Sequence, residues 1–336
     1  EVLEGFRAST SLHDPEPGLG ALAERVMIAV ATRLQLGEQY APSYGRGTSY
    51  QAWQEVDAAR EMWLARGRER EAFALLKRAL VVDSTFDAAR GLAAIWHLNF
   101  GEFEEAAAMA VDLERRLPYL APRQRWQLAA AKAALRQDRA ALVDGFKDWA
   151  ARLPNASRLL HLASVQNAAQ RPSACLETLD RVDLEGSRYF RSAWKWLLYA
   201  ECYRFLGDYD RSLEQIRAGR ERFPERRNLV VPEVKALAGI GRSADAEALI
   251  DRYLASPAAG ETFEHERVFA MLVDGALTMR AAGDPLAAER TLGRAVNWYR
   301  TRSTGDSASA ADRWYLARSL YAAGRWEEAR DCLLYT

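Results

Sequence analysis

Apolar residues recur along most of the chain at the spacing of amphipathic helices, and residues 193–224 show this pattern most clearly. There, large and small side chains recur at the spacing of two successive amphipathic helices. Gly207 and Asp208 give a turn signal between the segments, and Pro224 ends the second one. The stretch therefore predicts a helix–turn–helix unit. Each of its helices has an apolar face that only neighbouring units can cover.

The same unit repeats along the chain. With Gly207 at one turn, equivalent turns are predicted at Gly67, Gly101, Gln137, Gln170, Gly241, Gly283 and Gly324. A small residue stands five positions after the turn in six units, at Ala72, Ala106, Ser212, Ala246, Ala288 and Ala329. Cys175 takes this position in the fourth unit, and Leu142 breaks the rule in the third. A large side chain does not fit where two helices pack closely, so a small residue at this position indicates a helix–helix contact. Together with the eight turns, the pattern predicts about eight repeats.

The unit at 193–224 resembles a tetratricopeptide repeat, a helix–turn–helix of about 34 residues with characteristic Trp, Gly, Tyr, Ala and Pro positions. Trp196, Tyr203, Gly207 and Pro224 carry that resemblance. It implies an all-α fold in which about eight repeats form a right-handed superhelix. It also implies that the first helix of each repeat lines the concave side.

The N-terminal residues differ from the repeats. Residues 2–9 are the only strand-like piece, residues 14–18 are rich in Pro and Gly, and residues 19–36 have an apolar helical face. We therefore divide the chain into a strand, loop and helix over 1–40, a linker over 41–50, and the repeat array over 51–336.

The N-terminal part resembles the end of the TolB-like domain that precedes tetratricopeptide arrays in a group of bacterial signalling proteins. The matching segments are Val2–Phe6, Asp14–Pro15, Leu22–Met27, Pro42–Tyr44, Thr48–Trp53 and Gly324–Ala329. The resemblance implies that 1–40 is the C-terminal remnant of such a domain. It also implies a kinase, nucleotide cyclase or DNA-binding regulator upstream, and any catalysis would belong to that part.

Composition limits the partners. Lys+Arg and Asp+Glu number 46 each, so the chain has no net positive charge that would attract nucleic acid or anionic lipid. Charged residues interrupt the longest apolar stretch, 19–36, and no membrane insertion is predicted. Cys175, Cys202 and Cys332 stand singly, so no disulfide scaffold is predicted and Cys175 is interpreted as a buried, inert thiol. We expect a cytoplasmic protein, or an extracytoplasmic one if an upstream transmembrane segment tethers it.

The sequence contains no recognisable catalytic or metal-binding motif. His13, His97, His161 and His265 are too far apart to form a local metal motif, and the sequence after Glu264 lacks the second histidine of HExxH. We interpret His97 as a packed core residue and Cys175 as structural. The chain is therefore predicted to be no enzyme and to need no cofactor or metal.

What remains is a binding surface. The tetratricopeptide resemblance implies that positions 2, 5, 9 and 12 of each first helix face inward. The candidate partner-binding residues are then Trp194, Glu201, Arg204, Lys235, Arg280, Trp314, Arg318 and Tyr321. This set is basic and aromatic, which favours a protein or peptide partner with acidic segments. Alternatively, the same side chains cover the next repeat, with arginine stems packed on apolar surface.

Two functions follow from this interpretation. The first is a non-catalytic interaction scaffold that binds a peptide or partner protein as part of a bacterial signalling protein. The alternative is a ligand- or peptide-sensing module that regulates a missing upstream domain, and the long connections near 257 and 305 motivate it. The carboxylate clamp of chaperone-binding relatives is not predicted, because Asp57 and Glu61 stand at its Lys and Asn positions. The last repeat ends inside its second helix, so we also expect end-to-end self-association through it.

Overall fold

A computed structural model describes residues 49–63, 69–120, 122–152, 154–185, 187–256, 265–303 and 310–334, with Leu22 and Val26. Leu22 and Val26 are both helical. The predicted strand at 2–9, the loop at 14–18, the rest of the helix at 19–36 and the turn at Gly67 lie outside these residues. The proposed division at residues 40 and 50 therefore stays a prediction.

The described chain is α-helical and contains no strand in the ranges just given. It divides into two compact units: the first ends at Ser192, and the second comprises Pro172–Leu176 and everything from Ala193 onward. The helices that begin before Ala193 are α1 Tyr50–Glu61, α2 Glu69–Val82, α3 Asp87–Asn99, α4 Phe103–Arg115, α5 Pro122–Leu135, α6 Arg139–Arg152, α7 Ala156–Ala168 and α8 Pro172–Asp180.

The second unit continues with nine further α-helices among its described residues. These are α9 Trp194–Phe205, α10 Tyr209–Arg222, α11 Val230–Gly239, α12 Ser243–Leu254, α13 His265–Phe269, α14 Gly275–Ala281, α15 Pro285–Arg302, α16 Ala310–Ala322 and α17 Trp326–Leu334. A π-helical segment, Ala270–Asp274, joins α13 to α14 into one rod.

Seven of the eight predicted turn residues are described, and all seven have positive φ. The values run from 56° at Gln137 to 93° at Gly283. After each turn residue, the next N–H donates to the carbonyl five residues before it, as Asp208 N does to Tyr203 O at 3.0 Å. This six-to-one bond is the Schellman helix end, which requires the left-handed conformation at the turn residue. The glycines at five of these turns supply that conformation without strain.

The helices pack as pairs and then as neighbouring pairs within each unit. In the first unit α1 packs on α2, α3 on α4 and α5 on α6, while α3 also contacts α5. In the second unit α9 packs on α10, α11 contacts α12 and α14, and α16 packs on α17. First helices thus contact first helices, which is the packing of tetratricopeptide-type repeats and confirms the predicted all-α repeat fold.

Close approach of helices explains the small residue after each turn. Ala72, Ala106, Ala246 and Ala288 are fully buried. The Ser212 hydroxyl is also buried and donates to the Ala200 carbonyl at 2.9 Å across the α9–α10 contact. The third repeat compensates for its exception, because its core side chain on α6 is Val143, one residue after the half-buried Leu142.

Pro232 determines where the first helix of the sixth repeat begins. The sequence predicts a late start, since proline is tolerated only in the first helical turn. A short 3₁₀ segment, Arg227–Leu229, precedes α11, which begins at Val230 and places Pro232 in its first turn. This prediction is confirmed.

The interpretation of the cysteines is wrong for two of the three. Cys175 on α8 and Cys202 on α9 form a disulfide in the second unit, with their Cα atoms 6.6 Å apart. Both residues are fully buried. Cys175 lies five residues after the turn at Gln170, on the second helix of the fourth repeat. Cys202 lies five residues before the turn at Gly207, on the first helix of the fifth repeat, and the disulfide joins these two helices. Cys175 is thus a structural crosslink rather than a free thiol.

Candidate functional site

All eight predicted partner-binding residues lie on first helices of the second unit. Trp194, Glu201 and Arg204 are on α9, Lys235 is on α11, Arg280 is on α14, and Trp314, Arg318 and Tyr321 are on α16. Their side chains differ widely in exposure and pairing. These differences decide which of them are available to a partner.

The charged pair on α9 is neutralised internally. Arg204 Nη2 lies 2.6 Å and Nε 3.0 Å from the same Glu201 carboxylate oxygen. The Arg204 guanidinium carbon also lies 4.5 Å from the centre of the Phe205 ring. Because both charged side chains are largely buried and bonded to each other, this part of the face presents little net charge.

Lys235 is neutralised in the same way, by the next repeat. Its Nζ lies 2.9 Å from Asp274 Oδ2, and only 16% of the Lys235 side chain is exposed. Asp274 is the last residue of the π-helical segment. Such segments occur frequently at functional sites, but here the visible role is an ion pair between neighbouring first helices. The predicted basic character of the face is therefore reduced at two of its cations.

The face of α16 keeps its exposed groups. Trp314, Arg318 and Tyr321 stand at i, i+4 and i+7 on one side of the helix, and Trp314 is 46% and Tyr321 63% exposed. The Arg318 guanidinium carbon lies 4.4 Å from the ring centres of both Trp314 and Phe269. We call Trp314, Arg318 and Tyr321 the α16 face. Its contact with Phe269 also fits the alternative interpretation, in which these side chains cover a neighbouring repeat.

Arg318 and Arg280 differ from the other two cations in having no carboxylate within ion-pair distance among the residues that the structure describes. Arg280 is exposed near the end of α14. Among the described residues, the Arg318 guanidinium has no hydrogen-bond partner, and its contacts there are the rings of Trp314 and Phe269. The uncompensated positive charge of the predicted set thus lies in the seventh and eighth repeats.

A buried histidine–aspartate pair was missed by the sequence analysis. His265 Nδ1 lies 2.6 Å from Asp312 Oδ1, and both side chains are more than nine-tenths buried. The Trp298 ring contacts the imidazole edge to face at 5.1 Å. Tyr299 donates its hydroxyl proton to the His265 carbonyl, and burial raises the pKa of that phenol.

The pair joins the first helix of the seventh repeat to that of the eighth. Because an ionised carboxylate only accepts, the His265 Nδ1–H donates to Asp312, which fixes the orientation of the imidazole ring. Nε2 is buried and has no hydrogen-bond partner among the described residues. The two residues are 47 positions apart, so no local spacing signals the pair. The available signal is that each follows one of the two long connections.

The other histidines for which the structure gives side-chain contacts belong to packing. His97 is buried, and its Nδ1 lies 2.7 Å from Glu102 Oε2, as expected for a core residue. His161 Nδ1 donates to the Ser157 carbonyl at 2.6 Å, and its ring packs among Phe146, Trp149 and Tyr189. Burial lowers the pKa of His161 to about 4, so its imidazole is neutral at neutral pH.

The described residues contain no group of three or more potential metal ligands. Among the helices that the structure describes, none combines the length and the apolar composition that crossing a bilayer requires.

No protein-family model matches the chain, and no curated protein matches it. A tetratricopeptide repeat protein from Parabacteroides merdae ATCC 43184 has 14% sequence identity and a TM-score of 0.45, over 80% of this chain and 99% of that one. The structure of Naa15/Naa10 bound to HypK-THB has 16% identity and a TM-score of 0.23, over 93% of this chain and 57% of that one. At these TM-scores the chain's own helix pairs and turns carry the fold assignment, and these are of the tetratricopeptide type.

Proposed function

We propose that this chain is a non-catalytic protein-interaction scaffold that binds a peptide or partner protein through the α16 face. The observation that carries the proposal is the exposure of Trp314 and Tyr321 around Arg318 on one first helix. Tryptophan, tyrosine and arginine dominate the energetically important residues of protein interfaces. Large exposed aromatic rings are costly to hydrate, so a cluster of them favours a covering partner.

The neighbouring surface extends this face. Trp326, at the start of α17, is 64% exposed and lies 5.3 Å from the Tyr321 ring, measured between ring centres. The two ring planes are tilted by 56° to each other, so a partner would meet two adjacent aromatic rings in different orientations. Because Trp314 and Tyr321 lie on a regular helix, their spacing is set before a partner arrives. Pre-organisation of this kind reduces the entropy lost on binding.

The proposal includes a location outside the reducing cytoplasm. Disulfides persist mainly in oxidising compartments and are rare in cytosolic proteins. The buried Cys175–Cys202 bridge therefore supports the second of the two locations expected from the sequence, the extracytoplasmic face of a tethered protein. The first, cytoplasmic location requires these cysteines to remain reduced.

A second candidate function is a sensing module that regulates an upstream domain. Two polar contacts between neighbouring first helices favour it, Lys235–Asp274 and His265–Asp312. A ligand that changed the spacing of these repeats would have to break or re-form such contacts. The array would then have two conformations, one with the contacts formed and one with them broken, and a ligand would shift their populations. Unchanged amide exchange at both contacts on addition of an identified binder would argue against sensing.

Selection of peptide binders tests the scaffold proposal. We expect a random 12-residue displayed library to yield binders on the wild-type chain that the double variant Trp314→Ala/Tyr321→Ala does not retain. The matched control is Phe103→Ala/Tyr119→Ala in the first unit, whose rings are 60% and 86% exposed. The control variant should retain every binder. Equal loss of binding in both double variants, or no binders on the wild type, would overturn the proposal.

A further inference from the structure

We infer that Arg318 binds a side-chain carboxylate of the partner, an internal Asp or Glu that stands next to an apolar residue. This inference rests on the proposed function and specifies the partner's chemistry. Its starting point is the difference among the four predicted cations. Arg204 and Lys235 already bond Glu201 and Asp274, so a partner gains little from either.

Arg318 is built differently from these cations. Its guanidinium contacts the Trp314 and Phe269 rings at 4.4 Å, and no carboxylate in the described parts of the chain pairs with it. Stacking on rings restricts the rotamers of the long side chain while leaving the in-plane N–H groups unused. A guanidinium held in this way binds a carboxylate through two parallel hydrogen bonds at a reduced entropic cost.

The aromatic neighbours determine what must stand beside the carboxylate. Trp314 precedes Arg318 by one helical turn and Tyr321 follows it by nearly one, and both rings are substantially exposed. A partner that brings its carboxylate to Arg318 therefore covers at least one ring. Covering a ring with an apolar side chain removes apolar area from water, and it lowers the local dielectric around the ion pair.

The backbone of α16 decides between an internal carboxylate and a chain terminus. Terminal carboxylates are typically captured by backbone N–H groups that are not used elsewhere. Arg318 lies in the interior of α16, Ala310–Ala322, where backbone N–H groups bond within the helix. The α16 face thus offers side-chain donors only. These match a carboxylate carried on a side chain, with the partner's chain continuing on both sides.

The test uses peptides selected on the wild-type chain from two libraries, one displayed without a free C-terminus and one with it. We expect them to share an Asp or Glu at a fixed position beside an apolar residue. Replacing that residue by Asn or Gln in a synthetic peptide should weaken binding roughly 10- to 100-fold, the range for a charge-assisted hydrogen bond. Arg318→Gln should cause the same loss with the acidic peptide and little further loss with the amide peptide.

Arg217→Gln on α10 is the matched control, because Arg217 is exposed and the structure describes no ion pair for it. It should leave binding unchanged. Arg318→Lys should weaken binding less than Arg318→Gln. If Arg318→Gln unfolds the eighth repeat, Arg318→Lys together with the peptide substitutions on the wild-type chain decides the question.

The outcomes separate the two proposals. Binders that share no acidic position, or that respond equally to Arg318→Gln and Arg217→Gln, would overturn the role of Arg318 and leave the scaffold proposal intact. Binders that require a free C-terminal carboxylate would overturn the inference that the bound carboxylate belongs to an internal Asp or Glu. A complete lack of binders would overturn the scaffold proposal, and the Arg318 inference with it.

Discussion

The imidazole Nδ1 of His265 lies 2.6 Å from Asp312 Oδ1, and this buried contact joins two residues that are 47 positions apart in sequence. It connects the first turn of α13 to that of α16. We predict that Asp312→Ala destabilises the seventh and eighth repeats by about 1–3 kcal/mol, because the imidazole N–H is left buried without its acceptor. Asp312→Asn should cost less, since its amide oxygen still accepts.

Amide hydrogen exchange of α13 and α16 is the appropriate measurement, because repeat arrays need not unfold as a single unit. The control is Asp245→Ala, which removes the exposed Arg242–Asp245 ion pair at the start of α12. Exposed pairs contribute only about 0–1 kcal/mol. Equal acceleration of exchange by Asp312→Ala and Asp245→Ala would show that the buried pair has no special role.

The Cys175–Cys202 disulfide should contribute substantially to stability. The bridge spans a sequence separation of 27, for which the loss of chain entropy in the unfolded state is worth about 3–4 kcal/mol. We predict that the double variant Cys175→Ala/Cys202→Ala unfolds at a lower urea concentration than the wild type. Cys332→Ala should change the unfolding curve much less, because the half-buried Cys332 forms no disulfide.

Alkylation provides the direct check of the bridge. In urea without reductant we expect one labelled cysteine, Cys332, and three after reduction. Labelling of Cys175 or Cys202 in the unreduced, unfolded protein would contradict the disulfide and remove the support for an oxidising compartment.

His161 should make stability depend on pH in the acidic range. Burial lowers its folded-state pKa to about 4, whereas an unfolded histidine titrates near 6.5. Between these values the unfolded state binds more protons, so stability should fall as pH decreases from about 6.5 to 4 and stay level above. The full effect is roughly 3 kcal/mol, since each pKa unit corresponds to about 1.36 kcal/mol.

Replacing His161 by Gln should flatten this part of the pH profile, even if the variant is less stable at neutral pH. NMR titration of the His161 ring in the folded protein is the independent measurement. A titration midpoint near 6.5 would contradict the prediction.

The sequence predicted the features that depend on local geometry. A Schellman turn needs positive φ at one residue, which selects glycine at Gly101, Gly207, Gly241, Gly283 and Gly324 and leaves a visible period. The disulfide and the His265–Asp312 pair depend instead on how far one helix is displaced along its neighbour. The apolar pattern fixes the buried face of a helix but only loosely its axial position, so no apolar spacing marks residues 27 or 47 positions apart as neighbours.

The same limit explains why the sequence did not show which cations of the candidate face are paired. Side-chain positions in a helix predicted that Arg204, Lys235 and Arg318 share one side of the array. Whether each cation is available depends on which carboxylate lies opposite. Asp274 reaches Lys235 from the next first helix, and Phe269 rather than a carboxylate lies beside Arg318. Which side chain lies opposite each cation depends on the packing between repeats. The sequence signature of a single repeat carries no information about that packing.

Two turns lack glycine and should therefore be strained. Gln137 has φ 56° and Gln170 has φ 57°, a conformation that costs a residue with a β-carbon about 1–2 kcal/mol. Glycine avoids this cost but loses more backbone entropy on folding, by about 0.5–1 kcal/mol. We predict that Gln137→Gly stabilises the third repeat by about 0.5–1 kcal/mol, the net of these two terms.

Two matched substitutions make that prediction specific, with urea unfolding and amide exchange as measurements, read at α5 and α6 for residues 129 and 137 and at α3 and α4 for residue 101. Ala129→Gly, at an exposed interior position of α5, should destabilise by about 1 kcal/mol. Gly101→Gln should also destabilise, and since a β-carbon at Gly101 would meet nothing within 4 Å, its effect reports the net of strain and backbone entropy without a steric clash. If Gln137→Gly instead lowered stability as Ala129→Gly does, the Gln137 side chain would have to contribute more than the strain it imposes, and the turn residues would not be interchangeable.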